Sequence, residues 1–218
     1  MTRSVIAARS RGLLGAVLLA HLLGACGSLA AAPGTTRGRV TETLSLRVDL
    51  AASRVGLTAH ERAGDGRSQR TELRARDGRL ALRADGGDTL VIEALDLALK
   101  DLKIEREALP PDGLHLTDLA LHLPESAAAA ATWSLDDGAA TAVVTADLEL
   151  HWALLGPDDD FVPLAPQRIT VELGVALFTD RAGAVTARLT ATRAGAFLTP
   201  AGVYELGDLA LDLVAAAN

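Results

Sequence analysis

Apolar and polar residues alternate along most of this chain. In Val40-Thr-Glu-Thr-Leu44-Ser-Leu46-Arg-Val48-Asp-Leu50 the even positions are mostly apolar and the odd ones polar, and Val55-Gly-Leu57-Thr-Ala59 repeats the pattern. Period two is the signature of a strand with one buried face. A ten-residue pattern recurs at Leu90–Leu99, Leu114–Leu123 and Tyr204–Leu213, with a weaker copy from Val143 to Trp152. Within each strong copy the alternation slips by one residue, at Glu93-Ala94, Thr117-Asp118 and Gly207-Asp208. One extra residue that re-aims the side chains after it is a β-bulge, and bulges bend strands. The slips therefore predict a curved wall around a cavity, or an ordinary corner of a sheet. Read alone, the leucine runs also fit a helix; alternation on both sides of each slip selects strand.

Turn chemistry places the hairpins. Asp77-Gly78 suits a two-residue type I′ turn. It would set Leu73 opposite Leu82 and Ala75 opposite Leu80, with Glu72 meeting Arg83 and Arg70 meeting Asp85 on the other face. Asp137-Gly138 predicts a second hairpin, and Asp180-Arg-Ala-Gly183 a third that joins residues 169–177 to 185–191. Pro110-Pro111-Asp112-Gly113 and Gly156-Pro157 mark further turns, and Ala127 to Ala131 leaves room for a single helical turn. The expected fold is all-β: an antiparallel sandwich or a partly open curved barrel of roughly ten to twelve strands. It occupies residues 39–218 as a single domain, behind a cleaved N-terminal signal helix.

The N-terminus reads as an address. Arg3, Arg9 and Arg11 precede every acid in the chain, and residues 12–25 are almost wholly apolar. That stretch is too short to span a bilayer, which takes roughly 20 residues. A basic segment followed by a short apolar one is a secretory signal peptide. It ends in Leu23-Gly24-Ala25-Cys26, and Cys26 is the chain's sole cysteine. A lone cysteine forms no internal disulfide. Here the sequence resembles bacterial lipoproteins. Leu23, Gly24 and Ala25 match the lipobox, and the resemblance implies that Cys26 is acylated (a palmitate-type modification) and becomes the mature N-terminus. Gly27 in place of Asp implies sorting to the outer membrane in a cell with two membranes. The competing readings are a buried free cysteine and an ordinary signal cleaved at the A-x-A site of Ala30 and Ala32, which would leave Pro33 as the new N-terminus.

On this reading residues 1–25 are the signal peptide and residues 26–38 the lipidated cysteine and its tether. The leader takes three arginines and no acid with it, so the net charge of −7 becomes −10. Twelve tether residues reach at most about 40 Å.

Chemistry-bearing motifs are sparse. His60, His115, His122 and His151 show no metal-ligand spacing and are explained as polar strand positions. Asp158-Asp159-Asp160 offers oxygen ligands, but no downstream Glu completes a calcium loop, and a solvated loop tip accounts for it. No nucleophile elbow, P-loop or H-E-x-x-H motif occurs. Neither catalysis nor a cofactor is expected. Acidic overall charge argues against nucleic acid. Residues 37–83 are net basic and residues 84–218 net acidic, which places cross-strand ion pairs between them.

A transmembrane barrel needs aromatic girdles at both interfaces. Only Trp133, Trp152, Phe161, Phe178, Phe197 and Tyr204 follow the leader. The expected partners are the membrane, through the lipid anchor, and either a hydrophobic ligand or an envelope protein. The first makes this a lipid-handling lipoprotein. The second makes it a non-enzymatic interaction module. A large enclosed cavity would favour the first and a filled interior the second.

Overall fold

The computed structural model describes residues 43–62, 66–84, 88–109, 113–136, 139–156, 160–180, 182–200 and 203–217. The leader, the lipobox with Cys26, and the tether lie outside these residues. So do Asp85, the expected partner of Arg70, the turn pair Asp137-Gly138, and Asp158-Asp159.

Fourteen strand segments join into eight long staves. The first stave is β1 (Thr43–Val48) with β2 (Arg54–Glu61), and the second β3 (Ser68–Leu73) with β4 (Ala75–Ala84). The third is β5 (Thr89–Leu99) with β6 (Leu102–Ile104). β7 (Leu114–His122), β8 (Ala129–Thr132) and β9 (Ser134–Asp136) make the fourth, interrupted by a 3-10 turn at Glu125–Ala127. β10 (Ala139–Leu155) is the fifth, and β11 (Phe161–Pro163) with β12 (Gln167–Thr179) the sixth. β13 (Val185–Leu198) and β14 (Tyr204–Ala216) complete the set. Every pairing is antiparallel between chain neighbours. The ring closes where β14 pairs with β2 and with β1 on its free edge. The fold is therefore a closed up-and-down barrel, not a sandwich and not partly open. Closure leaves no long unpaired edge.

The three expected bulges are present. Ala81 pairs with Ala94 and Leu82 with Ile92, so Glu93 is the extra residue. Asp118 is extra between the Ala120–His151 and Thr117–Ala153 pairs. Asp208 is extra between Gly207–Thr58 and Ala210–Gly56. Asp118 and Asp208 occupy the same place in two copies of the repeat, and both adopt positive φ, 49° and 52°. Asp tolerates that conformation better than most side chains. The bulge is what lets Leu116 and Leu119, or Leu206 and Leu209, all face inward despite their odd spacing.

The Asp77-Gly78 hairpin is not formed. Both residues lie inside β4, Leu73 pairs with Val55, and Leu82 pairs with Leu44 and Ile92. Gly78 serves a close approach: a Cβ there would lie 2.7 Å from Val48 Cβ. The expected ion pairs change with the register. Glu72 pairs with Arg54 at 2.8 Å, and Arg83 with Glu93 at 2.5 Å. The other two hairpins form as expected, with Leu135 opposite Ala140 and Thr179 opposite Val185.

The break between β1 and β2 is stitched by Ser53. Asp49 accepts bonds from the Ala51 and Ala52 N–H groups and turns the chain. The fully buried Ser53 hydroxyl then accepts from the Val214 N–H at 3.0 Å and donates to the Val214 carbonyl at 3.3 Å, replacing the missing ladder bonds. Ser53→Ala strands that buried N–H and is expected to cost about 1–3 kcal/mol, measured by urea denaturation. At one end, Leu109 is fully buried and its carbonyl accepts from the Tyr204 hydroxyl at 2.9 Å.

The two faces of the wall differ sharply. Leu80, Leu82, Ile92, Leu95, Leu116, Val144, Leu148, Leu173 and Leu206 are all 0% exposed. A side chain lining a ligand-sized cavity would keep surface open to that cavity, even an enclosed one. These retain none, so they fill the interior. Eight strands enclose a space that side chains can fill. Outward, the register links Arg47, Arg79, Asp96, His122, Glu149 and Arg168 into one unbroken row across six staves. A membrane-spanning barrel carries an apolar band outside and polar groups within. This wall has the reverse polarity and belongs in water.

Candidate functional site

Two glycines hollow the outer wall. Gly56 on β2 and Gly174 on β12 sit at outward positions within regular strands, and neither adopts positive φ. Glycine in a strand interior costs roughly 0.5–1 kcal/mol relative to alanine. No backbone conformation requires it at these positions, so what it provides is the missing side chain. A hollow of 520 Å³ results. One register row along its floor runs Val143, Gly174, Thr190, Asp212, Arg54. The next runs Thr192, Ala210, Gly56, Glu72. Small and hydroxyl side chains thus make the floor, and Val143 stands 67% exposed at one side.

The charges around the hollow are held in place. Arg188 grips Asp212 with two nitrogens, each at 2.8 Å, and Arg54 meets Glu72 across the strands. The Arg188 guanidinium holds the Asp212 carboxyl below the usual carboxylate range and is itself raised by that carboxylate. Arg70 lies over Gly56, its Nη2 3.4 Å from where a Cβ would be. Among the described residues neither Arg70 nor Glu172, which both line the hollow, forms an ion pair.

Comparison with known proteins assigns no family. No family model matches the chain, and no curated protein matches it. Among solved structures, it is similar to Ail, the attachment invasion locus protein of Yersinia pestis, crystallised with the heparin analogue sucrose octasulfate. The identity is 9% and the TM-score 0.42, over 79% of this chain and 97% of that one. Similarity of that degree assigns neither function nor membrane insertion.

The four histidines among the described residues, His60, His115, His122 and His151, take outward positions, as expected. His115 and His122 share a face because the Asp118 bulge offsets their odd spacing. His122 contacts Asp96 through Nδ1, and its ring meets that of His151 edge-on with centroids 6.2 Å apart. Glu149 joins them, 3.7 Å from His151 and 3.2 Å from Arg168. His60 lies 3.4 Å from Asp208. Among the described residues no group of three or more His, Cys, Asp or Glu side chains is placed to hold a metal ion. Asp160 is backbone-bonded to Gly156 across the β10–β11 turn.

Among the described residues three carboxyls are held below their ordinary range in the fold. The causes are Arg83 for Glu93, the Gly195 N–H for Asp208, and Arg188 for Asp212. In the unfolded chain they return to about 4. Their contribution is therefore complete above about pH 4 and is lost as pH falls through the lower folded values. The melting temperature is expected to fall as pH drops from about 4 towards about 2, with the Asp208→Asn variant showing a smaller fall. A melting temperature that rises over this interval contradicts the assignment.

The hollow has a faint sequence signal. Glycine interrupting an alternating strand marks a bulge or a close approach by a ligand or another backbone. Gly56 and Gly174 are visible in that way, but only the register shows that they open onto one floor.

Proposed function

We propose that this protein is a cell-envelope lipoprotein, acylated at Cys26, whose water-facing barrel is a non-enzymatic interaction module that engages its partner through the hollow on the outer wall. The filled interior carries this reading. With Leu82, Leu95 and Leu173 wholly buried, the interior has no room for a lipid, so recognition falls to the outside. Among the described residues the outer wall offers an open concavity, framed by charges of both signs and floored by small and hydroxyl residues. That suits an extended polar chain better than an acyl chain. The leader and lipobox support the location, and Gly27 supports the outer membrane. The tether sets the reach to about 40 Å from the bilayer.

Site-specific photo-crosslinking in the native cell tests the reading. A crosslinker at Thr192, on the floor of the hollow, is expected to capture a discrete partner. One at Arg79, in the outward charged row on β4, is expected to capture none. Gly174→Val fills the floor and should abolish the Thr192 product while the barrel stays folded. Equal capture from both positions, or capture unaffected by Gly174→Val, would overturn the proposal.

A further inference from the structure

Arg193 points the wrong way for a surface arginine. Along β13, Val185, Ala187, Leu189 and Ala191 face inward and are buried, while Thr186, Arg188, Thr190 and Thr192 face out. The same alternation turns Arg193 inward. Its register partner is Leu209, a core residue 2% exposed. Just beyond, the ladder shifts between Arg193 and Ala196, so the residue sits where the regular wall ends.

Arg193 as a whole is partly exposed, but one side of its guanidinium is under-satisfied. Its Nη1 is buried and has no hydrogen-bond partner. Its Cζ lies 5.5 Å from the centre of the Phe197 ring. Among the described residues it makes no ion pair. Arginine cannot shed its proton to escape burial. A cation–π contact offsets only part of the desolvation of a cation. Of its neighbours, Leu209 opposite it is buried, and Phe197 packs against the core. An unpaired cation beside an aromatic ring and a buried leucine is the complement of an oxyanion on an apolar stem.

We propose that Arg193 binds the oxyanion of an amphiphile, a carboxylate or phosphate monoester, at the Phe197 end of the barrel. The stem lies along Phe197 and does not enter the packed interior. This site is separate from the outer hollow and stands without it.

Calorimetric titration of the full-length mature chain carrying Cys26→Ala, purified without detergent, tests it. Decanoate and decyl phosphate are the probes. Decanol and inorganic phosphate are the controls, lacking the charge and the stem respectively. Both probes should bind, and both controls should bind at least about tenfold more weakly, a difference of one decade in Kd. The tighter of the two probes tells a free fatty acid from a phosphorylated headgroup. Arg193→Gln should weaken decanoate at least about tenfold, and Gly174→Val should leave it unchanged. Arg193→Met removes the unpaired charge, so its melting temperature should equal or exceed that of the parent, and decanoate should no longer raise it. Failure of decanoate to bind, equal binding of decanol or of inorganic phosphate, or unchanged affinity in Arg193→Gln would overturn the site. So would a lower melting temperature in Arg193→Met, since the guanidinium would then be a structural element.

Discussion

Cys26→Ala is expected to move the protein out of the membrane fraction almost completely and to reduce palmitate labelling to background. The expectation rests on two independent features. The leader ends at the chain's sole cysteine in a lipobox-like Leu23-Gly24-Ala25 setting. The outward row of the described strands from Arg47 to Arg168 is ionisable at every position, so across six staves it gives a bilayer no apolar band to hold. Placing such a row in the bilayer would cost several kcal/mol for each buried charge. The proposed acylation would supply what the wall lacks: two acyl chains already anchor a protein stably. Fractionation with metabolic acyl labelling reads both effects at once. An unchanged membrane pellet in Cys26→Ala would mean that the barrel, and not the lipid, holds the protein there.

Leu95→Ala is expected to lose about 2–5 kcal/mol of folding stability, the range for removing a buried leucine from a packed core. Leu95 is fully buried beside the Glu93 bulge, on the strand that pairs with β4, β7 and β8. Thr190→Ala, on the outer floor, should change stability by no more than about 0.5 kcal/mol. Equilibrium urea denaturation measures both. If the interior were loosely filled, neighbouring side chains would have no tight contacts to lose, and Leu95→Ala would cost well under about 1 kcal/mol.

Much of the wall was legible because strand information is local. Alternation assigned the inward faces of β1, β12 and β13, and the three slips in the leucine-rich repeat located the bulges at Glu93, Asp118 and Asp208. Those signals lie within ten residues of one another. What was not legible is long-range. Sandwich and barrel share the same period, and closure depends on β14 meeting β1 and β2; the Ser53–Val214 bonds that stitch this seam join residues 161 apart. Asp77-Gly78 misled for the same reason. Its glycine answers to Val48, a side chain brought in from another strand, and a dipeptide cannot show whether its glycine serves a turn or a neighbour. The site followed suit. Gly56 and Gly174 were conspicuous singly but acquired a shared meaning only through register. Arg193 continues an alternation that starts at Val185, so its inward aim was readable, whereas its lack of a partner was not.

The central claim is that the barrel is filled and therefore works through its outer surface. Crystals of the protein pressurised with xenon test this most directly, because xenon occupies dry apolar cavities. The account predicts no xenon among the inward leucines of the parent protein and a bound atom beside position 95 in Leu95→Ala. An ordered xenon site within the parent barrel would contradict it and return the interior to the ligand.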